Sequence, residues 1–208
     1  MTDPDTLRAL IRETEARFPM PEWDLKRHPQ REWVLQMLPR HSVGMEVGVF
    51  RGHFSQMICR IVEPRKLFLV DPWTKLGETF GWGKAYTNFD TLTTAAAKAE
   101  AEARVGLYPA TESVIVEGTY PACADRIETP LDWAYLDASH RYDRTLLELR
   151  QLDRHVAETG FILGDDWEPR PDGAHHGVYQ AVNAFVAESD WELAKAGPGR
   201  QWILRRGG

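Results

Sequence analysis

Five short apolar runs, each parted from the next by a stretch of helical or loop character, set the tightest limit on how this chain can fold. They are SVGMEVGVF at 42–50, KLFLVD at 66–71, SVIVEG at 113–118, LDWAYLD at 131–137 and GFILGD at 160–165. None alternates polar and apolar residues cleanly, so each reads as a strand buried on both faces, the pattern of a parallel sheet. The intervening segments supply the crossover helices: HFSQMICRIV, the Ala-rich 89–106, the short YPACADRI, and DRTLLELRQLDRHV with Leu146, Leu149, Leu152 and Val156 at helical spacing. GVYQAVNAFVAES adds a last helix, and WELAKA with QWILRR forms a closing antiparallel hairpin. The expected fold is therefore α/β, a mostly parallel sheet of seven strands with helices on both faces. Two further amphipathic helices, at 4–18 and 29–38 and separated by the Pro-rich FPMPEWD, precede the first strand.

A chain of 208 residues has enough material for one domain with a real core. Its net charge of −6 and scattered Lys and Arg argue against a nucleic-acid surface. No run approaches the roughly 20 apolar residues of a membrane span, and the acidic N-terminus does not read as a signal peptide. Cys59 and Cys123 lack ligand spacing and read as reduced, partly buried thiols. A cytoplasmic location is the default expectation.

In doubly wound sheets, ligands bind beyond the carboxyl ends of the strands, where strand order reverses. Here polar groups follow every strand: Glu46 and Gly48, then Asp71, Glu117, Asp137 and Asp165. EVGVFRGHFS places Gly48 and Gly52 between strand and helix, where backbone N–H groups can approach a ligand. The spacing is not that of dinucleotide enzymes. Asp71, about 20 residues on, stands where a carboxylate can accept hydrogen bonds from both ribose hydroxyls. The stretch YLDASHRYD ends a buried strand in Asp137, His140 and Asp143, and GDDW ends the next in Asp165 and Asp166. His140 has the residue type and position for a general base at neutral pH. His175 and His176 either reach the acceptor or, the favoured reading, merely precede the following helix; as a pair they are a weak ligand signal, since adjacent residues on an extended chain point apart.

GMEVGVFRGHFS, LFLVDPW, LDWAYLDASHRYD, GFILGDDW and GVYQAVNAF, in that order, resemble the class I S-adenosylmethionine-dependent methyltransferases, in particular the small macrocin O-methyltransferase-like branch. The resemblance covers roughly residues 40–205. It implies a Rossmann-like methyltransferase domain at 40–208 behind a helical extension at 1–39. It implies that Glu46, the Gly48–Gly52 turn and Ser55 hold the amino-acid end of S-adenosylmethionine, Asp71 the ribose, and Glu117, Gly118 and Thr119 the adenine border, with Asp137 beside the reacting centre.

The resemblance further implies a divalent cation, Mg²⁺ or Mn²⁺, on Asp137, Asp165 and Asp166, holding the oxygen of a small hydroxylated acceptor such as a natural product, sugar or phenol. His140 and Asp137 are then the catalytic pair. The aromatic, Gly-rich segment 72–88 offers Trp73, Phe80, Trp82 and Tyr86 as a lid, or as a loop pinned to the core. The N-terminal helices can cover the acceptor pocket or form a homodimer contact. Competing readings are a metal-independent methyltransferase with a His base, a metal hydrolase, and a non-catalytic adenosyl-binding module. The hydrolase leaves Glu46, the Gly turn and Asp71 without a role.

Overall fold

A computed structural model describes residues 2–127 and 130–207. Its sheet has seven strands: β1 Val43–Val47, β2 Lys66–Asp71, β3 Glu112–Glu117, β4 Leu131–Leu136, β5 Val156–Gly164, β6 Trp191–Gly197 and β7 Gln201–Arg206. The spatial order is β3-β2-β1-β4-β5-β7-β6. The first five run parallel, and β7 enters antiparallel between β5 and β6. The expected fold class and closing hairpin are both present. The chain leaves β1 toward β2 and β3, then returns to lay β4 on the other side of β1. Strand order thus reverses between β1 and β4, which fixes the ligand crevice at their carboxyl ends.

Successive residues of each strand feed opposite cores. Leu67 and Leu69 join Val34, Ile58, Trp133 and Tyr135 under α3 (His28–Leu35), α4 (His53–Ile61) and α5 (Thr94–Gly106). Phe68 and Val70 join Leu136, Leu149, Ile162 and Phe185 under α6 (Tyr142–His155) and α7 (His176–Glu188). The period of two that sorts these side chains is the geometry of the pleat.

Some boundaries differ from the expected ones for local reasons. β1 stops at Val47 because Gly48 takes φ +91° and turns the chain out of the sheet. The Ala-rich helix begins at Thr94 rather than 89, with the Thr93 hydroxyl accepting from the Ala96 N–H as its cap. YPACADRI yields a 3-10 turn at Ala124–Arg126 in place of a helix. The N-terminal segment forms α1 (Pro4–Arg17), packed on α5, then a single turn, α2 (Glu22–Leu25), and then α3, against α4 and β7. No helix among the described residues is long and apolar enough to cross a membrane.

One acid on α6 is buried without compensation. Glu148 is inside the core, its Oε2 has no hydrogen-bond partner, and burial pushes its carboxyl up to about 8. A raised acid pKa means the folded state holds the proton more tightly, so stability is lost as pH climbs from the unfolded value of about 4.3 to the folded one. Glu148→Gln should therefore match the parent near pH 4 and exceed it at pH 9 by on the order of 2–4 kcal/mol. Urea midpoints at the two pH values check this; an equal difference at both would remove the titration argument.

Candidate active site

The crevice is built on a loop that Asp71 holds shut. The Val49 and Phe50 N–H groups donate to Asp71 Oδ2 at 3.0 and 2.9 Å, and the Trp73 N–H donates to Oδ1 at 2.9 Å. The Trp73 indole N–H adds a 2.8 Å bond to the Phe50 carbonyl. The carboxylate thus ties the loop after β1 to the loop after β2, and burial, opposed by these donors, raises its pKa. Gly48 makes the close approach possible. A Cβ there would lie 1.9 Å from the Asp137 carbonyl oxygen, so the turn after β1 is pressed against the end of β4. Gly52 caps α4 against Ala101 of α5.

Glu46 is buried at the end of β1 and accepts a short hydrogen bond from the Ser55 hydroxyl of α4. Burial pushes its carboxyl up to about 8, against the Ser55 bond and Arg31. Glu117 closes β3, where its carboxylate accepts from Lys98 Nζ at 2.7 Å and from the Thr74 N–H at 3.0 Å. The Gly118 N–H donates to the Asp71 carbonyl at 2.9 Å, and the Thr119 carbonyl accepts from the Cys123 N–H at 3.2 Å.

The acidic cluster after β4 and β5 divides in two. Arg27 Nη2 donates to both oxygens of Asp165 at 2.9 Å. The buried Arg31 reaches Asp137 Oδ2 at 2.9 Å, Asp165 Oδ2 at 3.2 Å and the Tyr135 hydroxyl through one nitrogen, Nη2. Gln201 Nε2 and the Asp166 N–H also donate to Asp165 Oδ1, at 2.8 and 2.7 Å. Two guanidiniums from the N-terminal helical segment thus occupy the place where an oxygen-bound Mg²⁺ was expected. Asp165 does not fit that cation, because both guanidiniums neutralise it and both its oxygens are engaged, and Asp137 gives one oxygen, Oδ2, to Arg31.

Asp166 goes the other way. Its φ of +62°, a left-handed conformation tolerated by Asp, turns the carboxylate out of the arginine cluster. Oδ2 lies 2.7 Å from His140 Nδ1 and 2.5 Å from His175 Nδ1, and the two Nδ1 atoms also touch. Burial opposes ionisation, but the two rings hold the Asp166 carboxyl well below its usual range. Burial likewise works against a charged His140, yet the Asp166 carboxylate leaves its pKa raised. His175, expected to be only a residue before the helix, is thus brought to the site. Gly177 allows it: a Cβ there would lie 2.6 Å from the His140 carbonyl oxygen, so the start of α7 packs directly on the loop after β4. A crevice lined by Asp137, Ser139, His140, Asp165 and Asp166 opens at this end of the sheet.

Residues 72–88 pack against the loop after β1. Trp73 is fully buried and belongs to the core rather than to a lid. Phe80, Trp82 and Tyr86 gather around Phe50 of the glycine loop, with ring centroids 5.0, 6.1 and 5.8 Å from it. Tyr86 is half-buried, and burial, with the Asp137 and Asp166 charges, raises its pKa.

A scan against protein families matches a methyltransferase domain over residues 45–167, more than half the chain and the whole stretch from β1 to the Asp165–Asp166 loop. The chain belongs to the class I S-adenosylmethionine-dependent methyltransferases. No curated protein matches it in sequence. Among solved structures, it is similar to the O-methyltransferase TomG from Streptomyces achromogenes, involved in tomaymycin synthesis and solved with S-adenosylmethionine (TM-score 0.60, 14% identity, 100% of this chain and 92% of that one). It is similar to an O-methyltransferase from Bacillus cereus in complex with S-adenosylhomocysteine (0.60, 13%, 98% and 90%). It is also similar to an rRNA methylase from Streptococcus thermophilus (0.57, 10%, 87% and 96%). At these identities the likeness is one of fold. S-adenosylmethionine is the cofactor of this methyltransferase.

The residues that sequence reasoning missed are Arg27, Arg31 and His175. Arg27 and Arg31 stand four apart and so share a helix face, which is the one local signal they carry.

Proposed function

We propose that this methyltransferase transfers the methyl group to a hydroxyl oxygen of a small molecule received at the His140–Asp166–His175 cluster. The observation that supports it most is that cluster itself: two imidazoles whose Nδ1 atoms converge on one carboxylate oxygen at the mouth of the cofactor crevice. Bound S-adenosylmethionine supplies an activated methyl group on a sulfonium that leaves without needing a proton. The protein therefore has to place the acceptor oxygen in line and accept its proton. The imidazoles are suited to the proton, and the Phe50, Phe80, Trp82 and Tyr86 rings to a flat acceptor face. The acceptor class is supported by the two O-methyltransferase structures and by the net charge of −6, which disfavours a phosphate backbone.

On this reading Glu46 and Ser55 face the amino-acid end of the cofactor and the Gly48–Gly52 turn its backbone side. Glu117, Gly118 and Thr119 border the adenine. Asp71 has one lone pair left, on Oδ1, after its three N–H donors, so it suits one ribose hydroxyl rather than two.

The test is isotope-labelled methyl transfer to a panel of phenols, sugars and rRNA. Label on a hydroxylated small molecule is expected, and His140→Ala should lower kcat by about 10²–10⁴-fold. Label on rRNA alone, or on nitrogen, would overturn the acceptor reading. Glu46 gives a separate check. Below pH 8 its carboxyl is protonated in the free protein, and pairing with the cofactor ammonium requires that proton to leave. S-adenosylhomocysteine should therefore bind more tightly as pH rises from 6 to 8, with proton release visible as buffer-dependent heat in calorimetry. An affinity independent of pH would take Glu46 off the ammonium.

A further inference from the structure

We propose that His140, Asp166 and His175 form a binding site for one divalent transition-metal cation of the Zn²⁺ type, replacing the oxygen-only site that the two arginines fill. Three ligand atoms, the two Nδ1 and Asp166 Oδ2, lie within 4.8 Å of one another. Hydrogen bonding accounts poorly for this arrangement. The two Nδ1 atoms touch, so they cannot both carry protons toward each other, and at least one of them presents a lone pair. Two ring nitrogens and a carboxylate oxygen gathered this closely are what a cation takes up. Two imidazoles and one carboxylate suit Zn²⁺, Co²⁺ or Fe²⁺ and do not suit Mg²⁺, which prefers oxygen.

The surroundings agree with a cation. Asp166 sits in a left-handed backbone conformation that aims it at the two rings, and its second oxygen faces Arg200 Nη1 at 4.0 Å. The His140 and His175 side chains are 41% and 32% exposed, which leaves one side of the cluster open for water or a substrate oxygen. That is the build of a reactive metal site rather than a closed structural one. A second group, Glu15, His53 and Glu100, has similar spacing, but Arg104 already stands in it, with Nη2 2.6 Å from both carboxylates. The contrast is one of distance: Arg104 bonds both carboxylates of that group directly, whereas Arg200 stands 4.0 Å from Asp166.

Binding of the cation is independent of the acceptor assignment. Its use rests on that assignment and changes the part of the rings in it: with both Nδ1 lone pairs on the cation, the cation would hold the acceptor hydroxyl and lower its pKa, the hydroxyl proton passing to water in place of an imidazole as the O–CH₃ bond forms and the C–S electron pair stays on sulfur.

The experiment takes the full chain, stripped with a chelator, and titrates it with Zn²⁺ by calorimetry and with Co²⁺ by visible absorption, with Mg²⁺ in parallel. One equivalent of Zn²⁺ bound at micromolar Kd or better, Co²⁺ d–d bands, and no Mg²⁺ heat are expected. His175→Ala should weaken Zn²⁺ by more than about 100-fold, beyond the usual effect of losing a residue that only supports a ligand. His176→Ala should not, because that ring meets the Glu168 carbonyl instead. S-adenosylhomocysteine titrated into each variant confirms that it is folded and keeps failure of the metal site distinct from failure of the function. No Zn²⁺ or Co²⁺ binding, or equal binding by His175→Ala, would overturn the proposal.

Discussion

Arg31→Ala should cost about 3–5 kcal/mol of stability, the usual penalty for removing one partner of a buried ion pair. The guanidinium is buried, lies over Phe54 at 4.2 Å, and bonds Asp137, Asp165 and the Tyr135 hydroxyl. Without it, Asp165 keeps only Arg27 as counter-charge. Burial already pushes the Asp165 carboxyl above its ordinary value with both arginines present. In the variant it should rise further above the unfolded value of about 3.9, so the folded state would hold a proton that the unfolded state releases. The variant's stability then falls as pH rises through that window. The deficit against the parent is expected to be smaller at pH 5 than at pH 8, as read from urea midpoints. A deficit that does not vary with pH would mean that lost packing on Phe54, and not the orphaned carboxylate, dominates.

Asp71→Ala is expected to be comparably severe. Three backbone N–H groups, of Val49, Phe50 and Trp73, would lose their acceptor in the interior. Each orphaned donor costs roughly 1–3 kcal/mol, so about 3–5 kcal/mol in total is expected after partial relaxation. Asp71→Asn should fall between: its amide oxygen can still serve the Val49–Phe50 pair, while its NH₂ meets the Trp73 N–H donor to donor. Chemical unfolding gives the stability, and S-adenosylhomocysteine titration of the folded fraction gives the second readout. Unchanged affinity in a folded Asp71→Asn variant would confine Asp71 to holding the loop and remove it from the ribose.

These two effects share a cause that bears on the acidic residues of the site. Asp71, Asp137 and Asp165 all look, in sequence, like free carboxylates at strand ends. In the structure each is the acceptor of a buried network that shapes the crevice. Asp166, one residue from Asp165, is the carboxylate turned toward histidines. Its backbone conformation makes the difference, because a left-handed residue reverses the direction that an extended neighbour would have taken.

What the amino-acid sequence determined by itself is the frame. Apolar runs of strand length, parted by helical spacing, dictate a buried parallel sheet, and the pleat assigns Leu67 and Leu69 to one core and Phe68 and Val70 to the other. Strand ends are equally legible, so Glu46, Asp71, Glu117, Asp137 and Asp165 could be placed on one edge of the sheet, and Gly48 at its turn. Those signals are local, with periods of two and 3.6 residues. Which partners meet at that edge was decided by tertiary structure. Arg27 reaches Asp165 across 138 positions and Arg31 reaches Asp137 across 106, while His175 reaches His140 across 35. No periodicity encodes such pairings. They follow from α3 packing against the carboxyl end of the sheet and from the Gly177 contact that draws α7 onto the loop after β4, and both depend on the assembled core.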